Sequence, residues 1–454
     1  MLTEMPLSPT PSDSPNLSQA LAAADQTRCL QIGPGILRQT PRYFREQFGN
    51  QPALIVADTI TFAVAGGIVA KAFDSAGHPT IKPFIFRSPD LYAEHGFVEQ
   101  LESELRKHAA IPIAVGAGTI NDLTKLAAHR TGRPYLCVAT AASMDGYTAF
   151  GASITFQGSK QTFVCPAPKA VVADLEIISA APASMNAAGY ADLLAKVTAG
   201  ADWLVADALA VEPLIPQAWV IVQGRLRQLL ADPAGITARS AAAIQRLIEG
   251  LMLGGFAMQA AKSSRAASGA EHQFSHLWDM EHHTHDGQAP SHGFKVGIGT
   301  LAVTALYETF LEQPLENWSS HSAGWPELSF WEKEIRQRFD SEQLISLALA
   351  ETQAKQPSAD ILHAQLERLR SIWPDLRHLL RRQLLPLAEV KRMLQLAGAP
   401  AEPEEIGISR PRLRDSFWKA YFVRRRFTIL DVVVRTGMLE ICLDKIFGPK
   451  LTGR

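Results

Sequence analysis

The periodicity of apolar residues changes once along the chain, and this change constrains the fold most strongly. Between residues 52 and 140, short apolar runs alternate with stretches of helical spacing; the runs are "PALIVAD", "IKPFIF", "IPIAVGAG" and "RPYLCVAT". Strands that alternate with helices predict a parallel sheet with helices on both faces. From residue 183 onward, helical spacing dominates and convincing strands are almost absent. The sequence therefore predicts an α/β N-terminal domain followed by an all-α C-terminal domain.

Chain length supports this division, because 454 residues exceed the size at which one hydrophobic core usually stops growing. We predict a disordered tail over residues 1–28, an α/β domain over 29–182 and an all-helical domain over 183–454. The tail begins "MLTEMPLSPTPSDSPNLSQ", whose Ser and Pro content favours disorder. The stretch "GASITFQGSKQTFVC" predicts one hairpin with its turn at Gln157 to Lys160. A cleft between two such domains is a favoured place for a ligand.

Charge and cysteine usage narrow the class of protein. The formal net charge is −1 with 20% charged residues, which gives no reason to expect a nucleic acid or a membrane as partner. The four cysteines are far apart and form no CxxC pair, so neither a disulfide framework nor a cysteine zinc site is expected. The start of the chain lacks the pattern of a secretory signal, and the longest apolar run contains Asp58. We therefore expect a cytoplasmic protein without a membrane span.

A glycine turn follows the third strand, in "AVGAGTIND". Gly116 and Gly118 would let backbone amides approach a pyrophosphate at the start of a helix, although strand–glycine–helix turns also occur for purely structural reasons. The third glycine of the dinucleotide fingerprint is missing, because Asn121 stands there. Asp122 is expected to cap the helix. The turn alone leaves dinucleotide binding and a structural role equally open.

Polar residues end two other strands on the same side of the predicted sheet. Asp58 ends the first strand, where it either accepts hydrogen bonds from a ribose or caps the next helix. Thr140, Ser143 and Asp145 follow the fourth strand in "ATAASMDGYTAFGAS". Because ligands bind at the carboxyl ends of parallel strands, these residues can line a site, but a polar turn before the hairpin explains them equally well.

Six of the thirteen histidines lie in "SGAEHQFSHLWDMEHHTHDGQAPSHGFKVGIG". His272 and His276 are four residues apart and share a helix face, and His292 begins another predicted helix. Asp192, in "GYADLLAK", can add a carboxylate. A divalent metal suits such a set, yet spacing alone leaves a metal site and a structural role both open. The histidines of the intervening loop are expected to be solvated; they are His282, His283 and His285.

The motif order resembles a known family. "GAGTINDLTK", "TAASMDG", "GYADLLAK", "SGAEHQFSH" and "HGFKVGIGT" occur in the sequence in that order. They resemble the bacterial NAD(P)-dependent glycerol-1-phosphate dehydrogenases, in the superfamily of dehydroquinate synthase and the iron-dependent alcohol dehydrogenases. The resemblance covers roughly residues 30–447. It implies a dehydroquinate synthase-like fold, an N-terminal domain that binds the dinucleotide and a helical domain that binds metal and substrate.

The resemblance also implies roles for individual residues. One divalent metal (zinc or nickel, with iron as a further candidate) would be held by Asp192, His272 and His292. Substrate would contact Asp145, Asp192 and His276, and Asp192 and His276 would be catalytic. NAD(P)H is the implied cofactor. Including Asp58 and the glycine turn, the predicted cofactor-binding residues are Asp58, Gly116, Gly118, Thr119, Ile120, Asn121, Asp122, Thr140 and Ser143. Two positions depart from the family pattern, namely Ala117 in the turn and Ala149, where many relatives carry Ser.

The implied reaction is reduction of dihydroxyacetone phosphate to sn-glycerol 1-phosphate, with a homo-oligomer compatible with a helical domain of this size. Candidate phosphate partners are Lys160, Lys295 and the run Arg424 to Arg426. A metal-dependent sugar-phosphate cyclase is the main alternative, although cyclases usually carry Glu at the position of Asp192. Iron alcohol dehydrogenases usually place a fourth ligand, His, where this chain has Lys196. A dehydrogenase for another phosphorylated ketone and a member without turnover also remain open.

Overall fold

The computed structural model describes residues 15–315 and 325–449 of the chain. Its centre is a six-stranded parallel sheet in the order β1-β8-β5-β4-β2-β3, and a separate antiparallel pair is formed by β6 and β7. The strands are β1 (Cys29–Gly33), β2 (Ala53–Asp58), β3 (Thr80–Phe86), β4 (Ile111–Gly116), β5 (Leu136–Ala139), β6 (Ala152–Phe156), β7 (Ser159–Phe163) and β8 (Ala170–Asp174).

Helices surround the sheet and then continue alone. The helices up to β8 are α1 (Leu17–Ala23), α2 (Thr40–Phe48), α3 (Thr59–Thr61), α4 (Gly67–Ser75), α5 (His95–Leu105) and α6 (Gly118–Arg130). After β8 the chain forms α7 (Leu175–Ala180), α8 (Ala183–Leu194), α9 (Lys196–Ala208), α10 (Pro216–Gln223), α11 (Leu226–Leu229), α12 (Pro233–Thr237), α13 (Ala241–Ala261), α14 (Ala270–Met280) and α15 (His292–Leu311). The last helices are α16 (Leu328–Arg338), α17 (Glu342–Ala354), α18 (Ala359–Gln383), α19 (Leu387–Leu396), α20 (Arg410–Phe422), α21 (Ile429–Arg435) and α22 (Leu439–Phe447).

The predicted fold class is confirmed, because within the described residues every strand precedes residue 175 and helices follow. Three of the four apolar runs form the central strands β2, β4 and β5, whereas "IKPFIF" forms the edge strand β3. Every residue of β4 is buried, with Ile113 and Val115 packing on one face of the sheet and Ala114 on the other. A strand covered on both faces has no solvated side and therefore reads as a continuous apolar run.

The strand order creates one crevice at the carboxyl edge of the sheet. From β2 the chain moves outward to β3, then returns across the sheet to β4 and continues in the other direction to β5. The order therefore reverses between β2 and β4, which is the point where such sheets bind ligands. The turn formed by residues 116–118 leads from β4 into α6 at this point.

The predicted hairpin is confirmed, with a tighter turn than expected. β6 and β7 pair from Ala152 opposite Phe163 to Phe156 opposite Ser159. Only Gln157 and Gly158 form the loop, and both have positive φ. Two-residue loops of this conformation match the twist of the paired strands.

Three helices of the C-terminal part cross at unusually short range. The α8–α15 and α14–α15 crossings each place a glycine of α15 against backbone of the other helix. A Cβ at Gly293 would overlap the Ala188 carbonyl oxygen of α8, and one at Gly299 would lie 2.5 Å from the Glu271 oxygen of α14. Glycine at these two positions therefore allows three helix backbones to approach one another closely.

Helix α15 is long and apolar enough to cross a membrane by length and composition, and it is the one such helix among residues 15–315 and 325–449. However, 78% of its apolar window is buried inside the protein. Its apolar character is therefore explained by its place in the core, where it packs against α8, α14, α19 and α22.

The predicted disordered tail is partly wrong. Residues 1–14 lie outside the described part of the chain, but Leu17–Ala23 forms α1. Asn16 caps this helix, because its side chain accepts from the Gln19 N–H while the Gln19 side chain accepts from the Asn16 N–H. Ala20 is buried and the helix packs on α13. The capping box and one apolar contact face outweigh the polar composition that suggested disorder.

Candidate active site

Asp192, His272 and His292 converge although they lie far apart in the sequence. They come from α8, α14 and the first turn of α15, and one potential ligand atom from each lies within 4.8 Å of the others. His272 Nε2 lies 3.6 Å from Asp192 Oδ1, and the two imidazole centroids are 5.3 Å apart. The close helix crossings at Gly293 and Gly299 bring the three side chains together.

Neighbouring side chains orient both imidazoles. The Glu271 carboxylate lies 2.8 Å from His272 Nδ1, which leaves Nε2 directed toward Asp192. The Ser275 hydroxyl lies 3.3 Å from His292 Nδ1. Hydrogen bonds to the outer nitrogen commonly fix the ring of a metal-binding histidine. The arrangement therefore presents one nitrogen of each ring to the space beside Asp192.

Lys196 completes the cluster, and the sequence analysis assigned it no role. Its ammonium is fully buried, donates to Asp192 Oδ1 at 2.8 Å and forms an ion pair with Asp145 Oδ2 at 2.7 Å. The Asp145 N–H also donates to Asp192 Oδ2 at 3.0 Å. The available signal was its position four residues after Asp192, which places both side chains on one helical face.

The electrostatics of the cluster suit a divalent cation. Burial alone would raise the pKa of the Asp192 carboxyl, but the Lys196 ammonium and the nearby imidazoles hold it below its usual range. Burial lowers the pKa of His292 to about 3 despite the attraction of Asp192. The set therefore offers an ionised carboxylate and a neutral imidazole at neutral pH, which are the protonation states that zinc and related metals require.

His276 lies beside this cluster and contacts a different partner. Its ring centroid is 6.4 Å from that of His272 and 6.5 Å from that of His292. Arg424 Nη2 lies 3.3 Å from its Nδ1 and 3.4 Å from its Nε2. Burial, together with the Arg424 charge, holds the pKa of His276 well below its ordinary value. A guanidinium only donates, so the nitrogen that it contacts carries a lone pair and the imidazole is neutral.

A cavity of about 670 Å³ connects the histidines with the glycine turn. Ala117, Gly118 and Thr119 line it on the sheet side, and His272, His276 and His292 line it on the helical side. The N-terminus of α6 faces it with neither a side-chain cap nor an acidic residue in the first turn. Open backbone N–H groups and the helix dipole there suit a phosphate group.

Close packing requires glycine at Gly116 of this turn, whereas at Gly118 the flexible Met144 side chain can give way. A Cβ at Gly116 would lie 2.5 Å from the Ile120 side chain, and one at Gly118 would lie 2.9 Å from Met144 Cε. Ala117 between them has an ordinary extended conformation with φ −86°. Ala117, where the chain departs from the family pattern, therefore adds no backbone strain to the turn.

The other predicted cofactor residues divide into two groups. Ser143 and Asp122 line the cavity with the glycine turn. Ile120, Asn121 and Thr140 are buried behind it. Asn121 donates to the Gly146 carbonyl at 3.2 Å, so it supports the loop that carries Asp145.

Asp58 and Asp122 differ in how their carboxylates are used. Asp58 caps α3, accepting at 2.8 Å from the N–H groups of Ile60 and Thr61 through one oxygen, Oδ1. The expectation that Asp122 caps α6 is wrong, because Ala117 occupies the N-cap position. The Asp122 carboxylate instead accepts from the Ser153 N–H at 3.1 Å, since the hairpin folds against α6.

The loop histidines also divide. His283 was expected to be solvated, and this is wrong. It is buried, its Nε2 lies 2.6 Å from the Ile406 carbonyl oxygen, and Arg412 Nη1 lies 2.8 Å from its Nδ1. His282 is exposed, as expected, and the half-buried His285 lines the cavity.

The candidate phosphate partners have different surroundings. Arg424 and Lys160 line the cavity. Lys295 is buried and forms an ion pair with Asp279. Arg425 is exposed and paired with Glu351, and Arg426 donates to the Ser268 carbonyl at 2.7 Å.

Fold and site together define a class of protein. A switch-point crevice for a dinucleotide faces a carboxylate–imidazole cluster that can hold a metal, which is the arrangement of a metal-dependent dehydrogenase. Residues 31–182 match the family model described as iron-containing alcohol dehydrogenase. The structure also resembles a probable glycerol dehydrogenase from Sinorhizobium meliloti 1021, with a TM-score of 0.60 and 17% identity over 93% of this chain and 98% of that one. This likeness supports the dehydroquinate synthase-like fold.

Two curated relatives are more similar in sequence. A glycerol-1-phosphate dehydrogenase (NAD(P)+) from Halalkalibacterium halodurans is 35% identical over 322 residues, which cover 68% of this chain and 80% of the relative. One from Bacillus licheniformis is 28% identical over 428 residues, covering 93% and 92%. The chain belongs to the glycerol-1-phosphate dehydrogenase family.

Proposed function

We propose that this protein is an NAD(P)-dependent glycerol-1-phosphate dehydrogenase that reduces dihydroxyacetone phosphate to sn-glycerol 1-phosphate. The observation that carries this proposal is the convergence of Asp192, His272 and His292 in a cavity shared with the glycine turn. Curated relatives named glycerol-1-phosphate dehydrogenase, at 28% to 35% identity, support glycerol 1-phosphate as the product. The compartment we propose is the cytoplasm, where four free buried thiols are stable.

In this proposal Asp192, His272 and His292 hold one divalent cation, with zinc and nickel as the first candidates. When bound, the cation supplies Lewis acidity at the ketone oxygen and the reduced nicotinamide supplies the hydride. Lys196 keeps the Asp192 carboxylate ionised and in place. Glu271 and Ser275 hold the imidazoles in the orientation that binding requires.

The dinucleotide is proposed to lie along the crevice with its phosphates at the turn of residues 117–119. The open backbone N–H groups at the start of α6 would donate hydrogen bonds to the negatively charged phosphate oxygens. Ser143 lines the same cavity as this turn, Asp145 and the three histidines, and it is proposed to contact the nicotinamide. Asp58 Oδ2 remains available for a ribose hydroxyl, while Oδ1 caps α3.

His276 is proposed to deliver the proton. Its imidazole is neutral, because burial and the Arg424 charge hold its pKa well below the ordinary value, so one ring nitrogen carries a hydrogen and the other a lone pair. The ring N–H can pass its proton to the oxygen of the reduced ketone, directly or through one water, while the other ring nitrogen takes up a proton from solvent water. Asp145, held by Lys196 at the cavity wall, is proposed to accept a hydroxyl hydrogen of the substrate.

The proposed function is tested by metal analysis joined to an absorbance assay. The protein is expected to contain a divalent metal and to consume NADH or NADPH stoichiometrically with dihydroxyacetone phosphate. The product is then resolved with enzymes specific for each glycerol phosphate enantiomer. A cyclase would show no net change in the reduced cofactor, because it uses NAD only transiently. Absence of cofactor consumption in the metal-loaded protein would contradict the proposal.

A further inference from the structure

The cavity continues past His276, away from the metal-binding cluster. A second cavity of about 520 Å³ adjoins the first, and Lys160, His276 and Arg424 line both. The three residues therefore stand where the two spaces meet. Arg424 contacts His276 and lines the same cavity as the cluster imidazoles, so a small molecule held at the cluster can extend toward Arg424.

Arg424 lacks an acidic partner in the described part of the chain. Its hydrogen-bond contacts there are the ring nitrogens of His276, and no carboxylate forms an ion pair with it. Its neighbours in sequence differ, since Arg425 pairs with Glu351 and Arg426 donates to Ser264 and Ser268. The Glu351 carboxylate favours the charged form of Arg424 but bonds directly to Arg425, so no carboxylate is seated on Arg424 itself in the described residues, and an anion there would compensate its partly buried charge.

Lys160 approaches from the opposite wall. It lies on β7 of the hairpin, and Asp279 of α14 holds its ammonium at 3.4 Å. Asp279 is shared, because Lys295 pairs with its other oxygen. Lys160 therefore shares its only carboxylate partner among the described residues with Lys295, so it keeps positive charge in excess beside the cavities that it lines with Arg424.

We propose that Arg424 and Lys160 form the phosphate-binding subsite and select phosphorylated over unphosphorylated ketones. This inference rests on the proposed function for the identity of the substrate. A dianionic phosphate monoester matches the excess charge, and guanidinium groups bind phosphate oxygens with directed hydrogen bonds. With the ketone oxygen at the cluster, the phosphate lies beyond His276, on the side where Arg424 stands. Lys160 closes the site from the hairpin.

The test compares two substrates that differ only in the phosphate. For the variants Arg424→Gln and Lys160→Met, kcat/KM with dihydroxyacetone phosphate is expected to fall about 10- to 100-fold, as loss of one charge-assisted hydrogen bond predicts. The loss with dihydroxyacetone should be much smaller in both variants, because that substrate has no phosphate, and Arg424→Gln should lose some rate with it through the contact to His276. Arg392→Gln is the control, because Arg392 is exposed on α19 and paired with Glu389. It should change neither value.

An equal loss for both substrates would overturn the proposal, since Arg424 would then act only through His276. Unchanged kcat/KM for dihydroxyacetone phosphate in both variants would overturn it as well. A second measurement distinguishes failure of the phosphate subsite from failure of the proposed function. It is calorimetric titration of the metal-loaded protein with inorganic phosphate. Weaker phosphate binding in Arg424→Gln supports the subsite even if wild-type protein does not reduce dihydroxyacetone phosphate. Equal phosphate binding by wild type and variant would overturn it.

Discussion

At the scale of single residues, Lys196 is the clearest case of a side chain whose role depends on its neighbours. Its ammonium lies between two carboxylates in the interior. Removing one partner from a buried ion pair leaves an uncompensated charge and typically costs about 3–5 kcal/mol. Lys196→Gln should therefore lower the free energy of unfolding by about this amount and weaken metal binding.

Denaturant titration and metal analysis check this expectation. Lys391→Gln serves as the control, because Lys391 also pairs with a carboxylate, that of Glu402, but is partly exposed. Exposed ion pairs contribute about 1 kcal/mol or less, so the control should change little. Wild-type stability and full metal content in Lys196→Gln would show that Asp192 does not need the ammonium.

His283 gives a prediction about pH. Its Nε2 lies against the Ile406 carbonyl and its Nδ1 against the Arg412 guanidinium, which fixes the neutral form. Burial, with the Arg412 charge, lowers the pKa of His283 below the usual 6.5. A histidine with a lowered folded-state pKa stabilises the fold above pH 6.5, and this contribution is lost as the pH falls.

Wild-type protein should therefore lose stability relative to His283→Gln between pH 7 and pH 5, by at most about 1 kcal/mol after allowance for solvent screening. The measurement is the difference in unfolding free energy between the two proteins at each pH. A difference that stays constant would mean that the imidazole protonates equally in both states.

At the scale of elements, the glycines of α15 position the site. A Cβ at Gly293 would overlap the Ala188 carbonyl oxygen, so Gly293→Ala must separate α15 from α8. Overpacking of this kind typically costs about 1–3 kcal/mol. The separation would also move His292 away from Asp192. We expect lower thermal stability together with loss of metal affinity.

Gly297→Ala on the same helix is the matched control. Its Cβ would meet the Ala191 Cβ at 3.1 Å, a side-chain contact that a small shift relieves. Calorimetric metal titration should give near wild-type affinity for this variant and reduced affinity for Gly293→Ala. Equal metal affinities for the two variants would show that metal binding does not depend on the close α8–α15 crossing.

Strands and turns could be predicted from the sequence where the residues of the element themselves determine its structure. The apolar run of β4 and the Gln157–Gly158 turn carry their structure in their own residues. The roles of Asp122 and His283 were not predictable, because Ser153, Ile406 and Arg412 contact them across 31, 123 and 129 positions of sequence. A local pattern carries no information about such partners.

At the scale of the whole molecule, the site depends on contacts between distant segments. Asp192, His272 and His292 span 100 positions, and Arg424 enters from still farther along the chain. Spacing alone left the metal site open, and the resemblance supplied the ligand set that the geometry brings within 4.8 Å. In the sequence, Lys196 indicates only that the fourth metal ligand of the iron alcohol dehydrogenases is absent. The sequence does not show that Asp145 lies beside it.

One cation held by Asp192, His272 and His292 is proposed to support hydride transfer. Metal content per chain and NADH-dependent reduction of dihydroxyacetone phosphate are measured together for wild type, Asp192→Asn, His272→Ala and His276→Ala. We predict about one divalent metal per chain in wild type, as a three-ligand site requires. Asp192→Asn and His272→Ala should lose both metal and activity, whereas His276→Ala should keep the metal and lose rate. Near wild-type activity in Asp192→Asn or His272→Ala would contradict the claim.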